Sequence, residues 1–332
     1  MSNATILEVR DLKKHFAIRG GLLGTTVGHV YAVDGVSFSV AKAETLSLVG
    51  ESGCGKTTVG KTILRLTEPT GGQVLIDGNR IDNLPVSELR PLRKRMQVVF
   101  QDPFSSLNPR LKVREIISEP MLNFGLATSS SEIDDRVAAT LDKVRLPRDA
   151  MTRYPHEFSG GQRQRIGIAR ALGTDPDLII CDEPVSALDV SVKAQVVNLL
   201  SDLQQELGLA LLFISHDMAI VEHMTHRVAV MYLGKIVEIA DRRSLFADPK
   251  HPYTQALLSA VPVPDPTVKR NRIILKGDVP SPIRPPPGCR FHTRCPFAFD
   301  RCRTEEPVLR AVGPGQLAAC HLHDQAELPK AA

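Results

Sequence analysis

Gly50-Glu51-Ser52-Gly53-Cys54-Gly55-Lys56-Thr57 fits G-x-x-x-x-G-K-[ST], a loop whose bare glycines and successive backbone N–H groups wrap phosphates where a Cβ would collide with oxygen. Its flanks give the match its weight. Thr45–Val49 is a short apolar run with strand character, and Thr58–Leu66 carries apolar residues at helical spacing. The loop therefore sits at a helix N-terminus, where unpaired N–H groups and the positive end of the dipole favour an anion. Lys56 is expected to meet the β- and γ-phosphates of a nucleotide, and Thr57 to put its hydroxyl on Mg²⁺, with Thr58 in the same turn.

A chain of 332 residues, 42% apolar and 23% charged, has room for one large domain with an appendage or for two domains. The net charge of +4 is too slight to argue for nucleic acid as a partner. The densest basic cluster, Arg90–Arg95, is expected to be a solvated surface. The first sixteen residues lack the basic start and unbroken apolar core of a secretory signal, and no run of about 18 apolar residues occurs. Any membrane connection is expected to go through a partner.

Along the chain, Ile6–Arg10 and Val36–Val40 alternate as strands, with a flexible insertion expected over Gly20–Gly28 between them. Phe16 and Tyr31 are the aromatics there that could stack on a nucleotide base. Gln73–Asp77 and Met96–Phe100 read as strands, the second followed at once by Gln101, whose amide oxygen could orient Mg²⁺ or an attacking water. Residues 111–150 look helical. Ser159 is a plausible cap for a helix over Gln162–Leu172, and Gly160 and Gly161 at its start are a second phosphate-seeking feature.

Leu178–Cys181 is an apolar strand delivering Asp182 and Glu183 at its end. Beside a phosphate loop, that pair suits hydrolysis, Asp182 holding Mg²⁺ through its water shell and Glu183 polarising the attacking water. A tight polar segment, Ser186–Asp189, precedes a helix over Val192–Leu207. Another apolar strand, Leu209–Ser215, then delivers His216 at the same kind of edge, where ligands of such sheets bind.

The phosphate loop, Gln101, SGGQ at 159–162, Asp182-Glu183, SALD at 186–189 and His216 occur in the order and approximate spacing of ABC-transporter ATPases, and the chain resembles their nucleotide-binding domain from Ile6 to about residue 260. QDPFSSLNPR at 101–110, HPYTQALL at 251–258 and PPPGCRFHTRCP at 285–296 narrow the resemblance to the peptide- and nickel-importer subgroup. It implies an α/β fold: a RecA-like P-loop core with an antiparallel β-subdomain and a helical subdomain at about 103–172, the domain occupying 1–260 and an irregular cysteine-containing extension 261–332.

The resemblance also implies that ATP and Mg²⁺ bind between two such subunits. Ser159, Gly160, Gly161 and Gln162 of one close over the γ-phosphate held by the loop of the other, with Asp189 among the nucleotide-facing residues and Glu183, His216 and Gln101 carrying hydrolysis. The implied partners are a homologous, distinct ATPase, two membrane permease subunits and, indirectly, a solute-binding protein. The implied place is the cytoplasmic face of the inner membrane, and the implied cargo is dipeptides or related peptides. The competing function is a soluble ABC-type ATPase acting on nucleic acid, or a sensor; the paired ATPase modules and coiled-coil insertions usual in the former are not present here.

Beyond residue 260, Val261–Pro266 and Pro280–Gly288 are too proline-dense for long helices. Cys289, Cys295, Cys302 and Cys320 follow in the pattern C-x5-C-x6-C-x17-C. Four thiolates suffice for zinc or a [4Fe-4S] cluster, with His292, His321 and His323 as substitutes in the zinc case. A chain without metal there stays open, and the resemblance favours the iron–sulfur cluster. Cys54 is expected to fill space between glycines, its position at a helix N-terminus lowering its pKa.

Overall fold

The computed structural model describes residues 4–20, 25–261 and 272–324. In chain order the strands are β1 (Thr5–Gly20), β2 (Thr25–Ala41), β3 (Thr45–Val49), β4 (Gly71–Ile76), β5 (Asn79–Arg80), β6 (Met96–Val99), β7 (Leu178–Asp182), β8 (Ala210–Ser215), β9 (Arg227–Tyr232), β10 (Lys235–Asp241), β11 (Arg310–Gly313) and β12 (Gln316–Ala318). The helices that matter below are α1 (Lys56–Ile63), α2 (Val86–Arg93), α3 (Val113–Asn123), α4 (Ser130–Lys143), α5 (Gly160–Leu172), α6 (Val190–Leu207), α7 (Met218–Met224), α8 (Arg242–Ala247) and α9 (Pro252–Ser259). The chain divides into two compact units. One takes the described residues up to Glu8, Ser39–Thr45 and Val74–Ser215; the other takes Val9–Phe38, Leu46–Gln73 and the described residues from His216 onward.

In the first unit, β6, β7 and β8 run parallel, with Met96 opposite Leu178 and Leu178 opposite Ala210. β7 and β8 are buried at every position, as strands covered on both faces must be, which is why they read as unbroken apolar runs. α3, α4 and α5 pack together through apolar residues at helical spacing, among them Ile117, Val137, Leu141 and Ile168. The Arg90–Arg95 cluster is exposed or half-buried throughout, and within it Arg95 donates to Asp177 at 2.5 Å and also to Asp77, binding two acids far apart in sequence.

In the second unit, β3 lies parallel to β9, with Leu46 opposite Arg227 and Val49 opposite Val230. β9 pairs antiparallel with β10, β10 with β12, and β12 with β11. The C-terminal extension is therefore not wholly irregular, since it adds two short strands to this sheet. Its core gathers Val49, Val228, Val230, Tyr232, Tyr253 and Phe291, with Cys289 and Cys295 packed against it.

The two N-terminal strands are longer than their alternation suggests, because irregularities such as Asp11 at φ +46° break the two-residue period without ending the strand. Gly20 and Gly28, at the edges of the expected insertion, belong to those strands, and residues 21–24 lie outside the described residues. Of the proline-dense stretches, residues 262–266 also lie outside, whereas Pro280–Gly288 runs through turns. α5 begins at Gly160 rather than Gln162, behind the expected cap at Ser159. Among the described residues, no helix is long and apolar enough to cross a membrane.

Candidate functional site

β3 is buried along its length and hands the chain to the loop 50–55, after which α1 starts at Lys56 with Gly55 as its N-cap. Two of the glycines are dictated by close approach. A Cβ on Gly50 would stand 2.2 Å from the Met231 carbonyl oxygen, and one on Gly55 would stand 2.0 Å from that of Ala32, both at positive φ. Gly53 faces open space, so only its φ of +79° asks for glycine.

Inside the loop, Lys56 is buried and its Nζ donates to the carbonyls of Gly50 at 2.8 Å and Glu51 at 3.0 Å. The Glu51 N–H donates to the Tyr253 hydroxyl at 2.8 Å. Ser52 and Gly53 are exposed, while Thr57 and Thr58 are half-buried on the first turn of α1. Cys54 is the buried filler its neighbours suggested. Its pKa, however, is raised rather than lowered, because burial outweighs the nearby Lys56 ammonium.

Asp182, buried, closes β7. The backbone then turns sharply: Glu183 adopts φ +47°, its N–H donating to the Ile214 carbonyl at 3.0 Å. A side chain other than glycine in this region is strained and persists only where its surroundings enforce it. The turn presents the Glu183 carboxylate to Gln101, whose Nε2 donates to Oε2 at 3.2 Å. Two residues 82 apart in sequence, each assigned to hydrolysis independently, are thus brought together.

Ser159 and Gln162 form a reciprocal capping box, the Ser159 N–H donating to Oε1 at 3.0 Å and the Gln162 N–H to Oγ at 3.4 Å. Ser159 and Gln162 are exposed and Gly160 half-buried. Gly161 is required for another reason: a Cβ there would lie 2.3 Å from Val192 Cγ1 of α6. Asp189 is the exposed N-cap of α6, its carbonyl accepting from the Lys193 N–H at 2.8 Å. His216 is exposed directly after β8. Of the two candidate base-stacking aromatics, Phe16 has Lys14 Nζ 4.8 Å from its ring centre, and Tyr31 packs edge-on against His15 at 4.6 Å.

The cysteine segment behaves differently from its sequence pattern. Burial, then mutual repulsion of the thiolates, pushes Cys289 up to about 11, and burial pushes Cys320 up to about 12. Among the described residues, no group of three or more His, Cys, Asp or Glu side chains is arranged to hold a metal ion. The histidines considered as substitute ligands are engaged elsewhere. His321 bonds Asp324 and the Glu305 carbonyl, His323 the Lys250 carbonyl, and His292 the Cys289 carbonyl. The four thiols act on one another's charge, but among the described residues their arrangement supports neither the expected cluster nor a zinc site.

Sequence reasoning missed two residues that touch the loop, Tyr253 and Arg294. Both lie inside motifs noticed only as family markers, HPYTQALL and PPPGCRFHTRCP. A tyrosine and an arginine in otherwise turn-rich or apolar surroundings were the available signal.

Residues 33–186 match the family described as ABC transporter, and residues 237–302 match the one described as oligopeptide/dipeptide transporter, C-terminal region. The chain is 56% identical over 322 residues to the oligopeptide transport ATP-binding protein AppF of Bacillus subtilis (strain 168), spanning 96% of this chain and 98% of that one. It is likewise 56% identical to the probable peptide ABC transporter ATP-binding protein y4tS of Sinorhizobium fredii, spanning 97% and 91%. Among solved structures, the ATP-binding cassette MJ0796, a dimer bound to ADP and phosphate, superposes with a TM-score of 0.64 at 28% identity, covering 72% of this chain and 99% of that one. With the loop, the Glu183 turn and the capped Ser159 helix in place, this chain belongs to the ABC transporter family, among its peptide-transport ATP-binding proteins.

Proposed function

We propose that this chain is the ATP-binding and ATP-hydrolysing subunit that energises an ABC importer of dipeptides or related oligopeptides. The observation that carries it is the Glu183 turn, where a strained backbone aims a carboxylate at the Gln101 amide. In this reading Lys56 exchanges the carbonyls of Gly50 and Glu51 for the β- and γ-phosphates, and the loop N–H groups from Gly53 to Thr58 take the remaining oxygens. Thr57, Asp182 and Gln101 offer hydroxyl, carboxylate and amide oxygens, the hard donors that suit Mg²⁺ alongside phosphates and water. These residues would hold Mg²⁺, which would supply neutralising charge to the phosphates.

Glu183 takes a proton from the attacking water, and Gln101 and His216 orient that water and the γ-phosphate. One chain carries one phosphate loop and one Ser159–Gln162 helix start, so a complete site needs a second ATPase chain, here a homologous and distinct one. The dimeric cassette to which it is similar supports the pairing. The names of its relatives and the description of the matching C-terminal region support a peptide cargo and a place within a transporter. Nucleotide-driven closure then moves two permease subunits from the cytoplasmic face of the inner membrane, with a solute-binding protein acting on the far side.

An iron–sulfur cluster on Cys289, Cys295, Cys302 and Cys320 stays outside this reading, because the thiols are not arranged as ligands. Iron and sulfide analysis of anaerobically purified protein checks that point. For the catalytic assignment, Glu183→Gln in the assembled transporter should lower ATP turnover at this site by at least about 100-fold. Undiminished turnover would refute it.

A further inference from the structure

Glu51 poses an electrostatic problem: it places a carboxylate second in a loop built to receive the most anionic part of a nucleotide. Like charges at such range oppose binding. The C-terminal extension supplies the remedy. Arg294 Nη1 donates to Glu51 Oε2 at 2.7 Å and Nη2 donates to Oε1 at 3.1 Å, a two-pronged pair with the arginine side chain only 8% exposed. That fork fixes direction as well as charge.

The arginine is itself held. Phe291, three residues before it, sits fully buried against Tyr232 and Tyr253, with ring centres 5.2 and 5.4 Å away. Arg290 of the same segment pairs with Asp34 and donates to the Leu233 carbonyl at 2.5 Å. Tyr253 meanwhile accepts from the Glu51 N–H, so this one loop residue is tied through both backbone and side chain. A partly buried ion pair returns little net stability after desolvation. Its position on the phosphate loop is therefore the more informative feature.

We propose that Arg294 is a positioning residue for nucleotide binding, neutralising Glu51 and turning it away from the phosphates so that the extension sets the affinity of the loop. The inference rests on the reading of residues 50–57 as the ATP site. In the assembled transporter, Arg294→Ala should raise the KM for ATP about tenfold and leave kcat within about twofold, since the hydrolytic residues are untouched. Arg294→Lys, keeping charge without the fork, should recover part of the loss. Arg294→Ala combined with Glu51→Gln should recover most of it, because the uncompensated carboxylate is gone.

Matching melting temperatures of the single and double variants would exclude a general loss of folding. An unchanged KM in Arg294→Ala, or a loss that the Glu51→Gln combination fails to recover, would overturn the proposal. A wild-type transporter that binds no ATP would instead overturn the nucleotide site itself, which separates the two failures.

Discussion

The phosphate loop and the loop before α5 both lead glycines into the first turn of a helix, yet they are supported in different ways. Ser159 and Gln162 cap each other three residues apart, a local device. The phosphate loop borrows its support from afar: Tyr253, 202 residues on, holds the Glu51 N–H, and Arg294, 243 residues on, holds its carboxylate. The glycines differ too. Gly50 and Gly55 press against backbone carbonyls, which cannot move away, whereas Gly161 presses against a valine methyl, which can. A self-capped loop tolerates change around it, and a braced one transmits change to it.

The largest effect should come from Gly55→Ala, which forces a Cβ onto the Ala32 carbonyl at φ +110°. We expect a loss of about 4 kcal/mol in chemical denaturation together with lost nucleotide binding. A stable, ATP-binding variant would remove the distinction between the two loops.

Next in size is an acid effect confined to the braced side. His251 is fully buried and its Nδ1 accepts from the Tyr253 N–H at 3.1 Å, so the ring is neutral. Burial, then repulsion from His323, pushes its pKa down to about 3. The unfolded chain, with an ordinary histidine pKa near 6.5, binds the proton first as pH falls, so stability drops between about pH 6.5 and 3. By pH 4 the loss approaches about 3 kcal/mol, and it should shrink in His251→Asn when melting curves are compared across pH. An unaltered pH profile in that variant would show that His251 is not the group responsible.

Smaller still, Gly161→Ala should destabilise by about 2 kcal/mol. Val192→Ala should restore most of that loss by clearing the space. If the second change restored nothing, the valine would not be the constraint.

These contrasts also explain what could be read in advance. The residue patterns of the loop, of the acids at the end of β7 and of the cap at Ser159 are each written within a few consecutive residues, and they stood out even where their support comes from afar. The parallel strands were legible because burial on both faces leaves continuous apolar runs. The Tyr253 and Arg294 braces were not, since nothing near Glu51 announces a partner more than 200 residues away. Cys54 misled for a related reason: position at a helix start argued for a lowered pKa, and depth of burial, invisible locally, outweighed it. The four C-terminal cysteines come near enough to act on one another's charge, yet spacing alone does not set them as a ligand group among the described residues. The strained turn at Glu183 lay between these cases, its residue legible and its geometry not.

The claim on which the rest stands is that residues 50–57 hold the triphosphate through Lys56. Calorimetric titration of Mg-ATP into the full-length chain and its Lys56→Ala variant tests it most directly. The account predicts saturable binding by the former and at least about a tenfold weaker affinity in the latter, because a charge-assisted contact to phosphate is lost. Equal affinity in the two would contradict it.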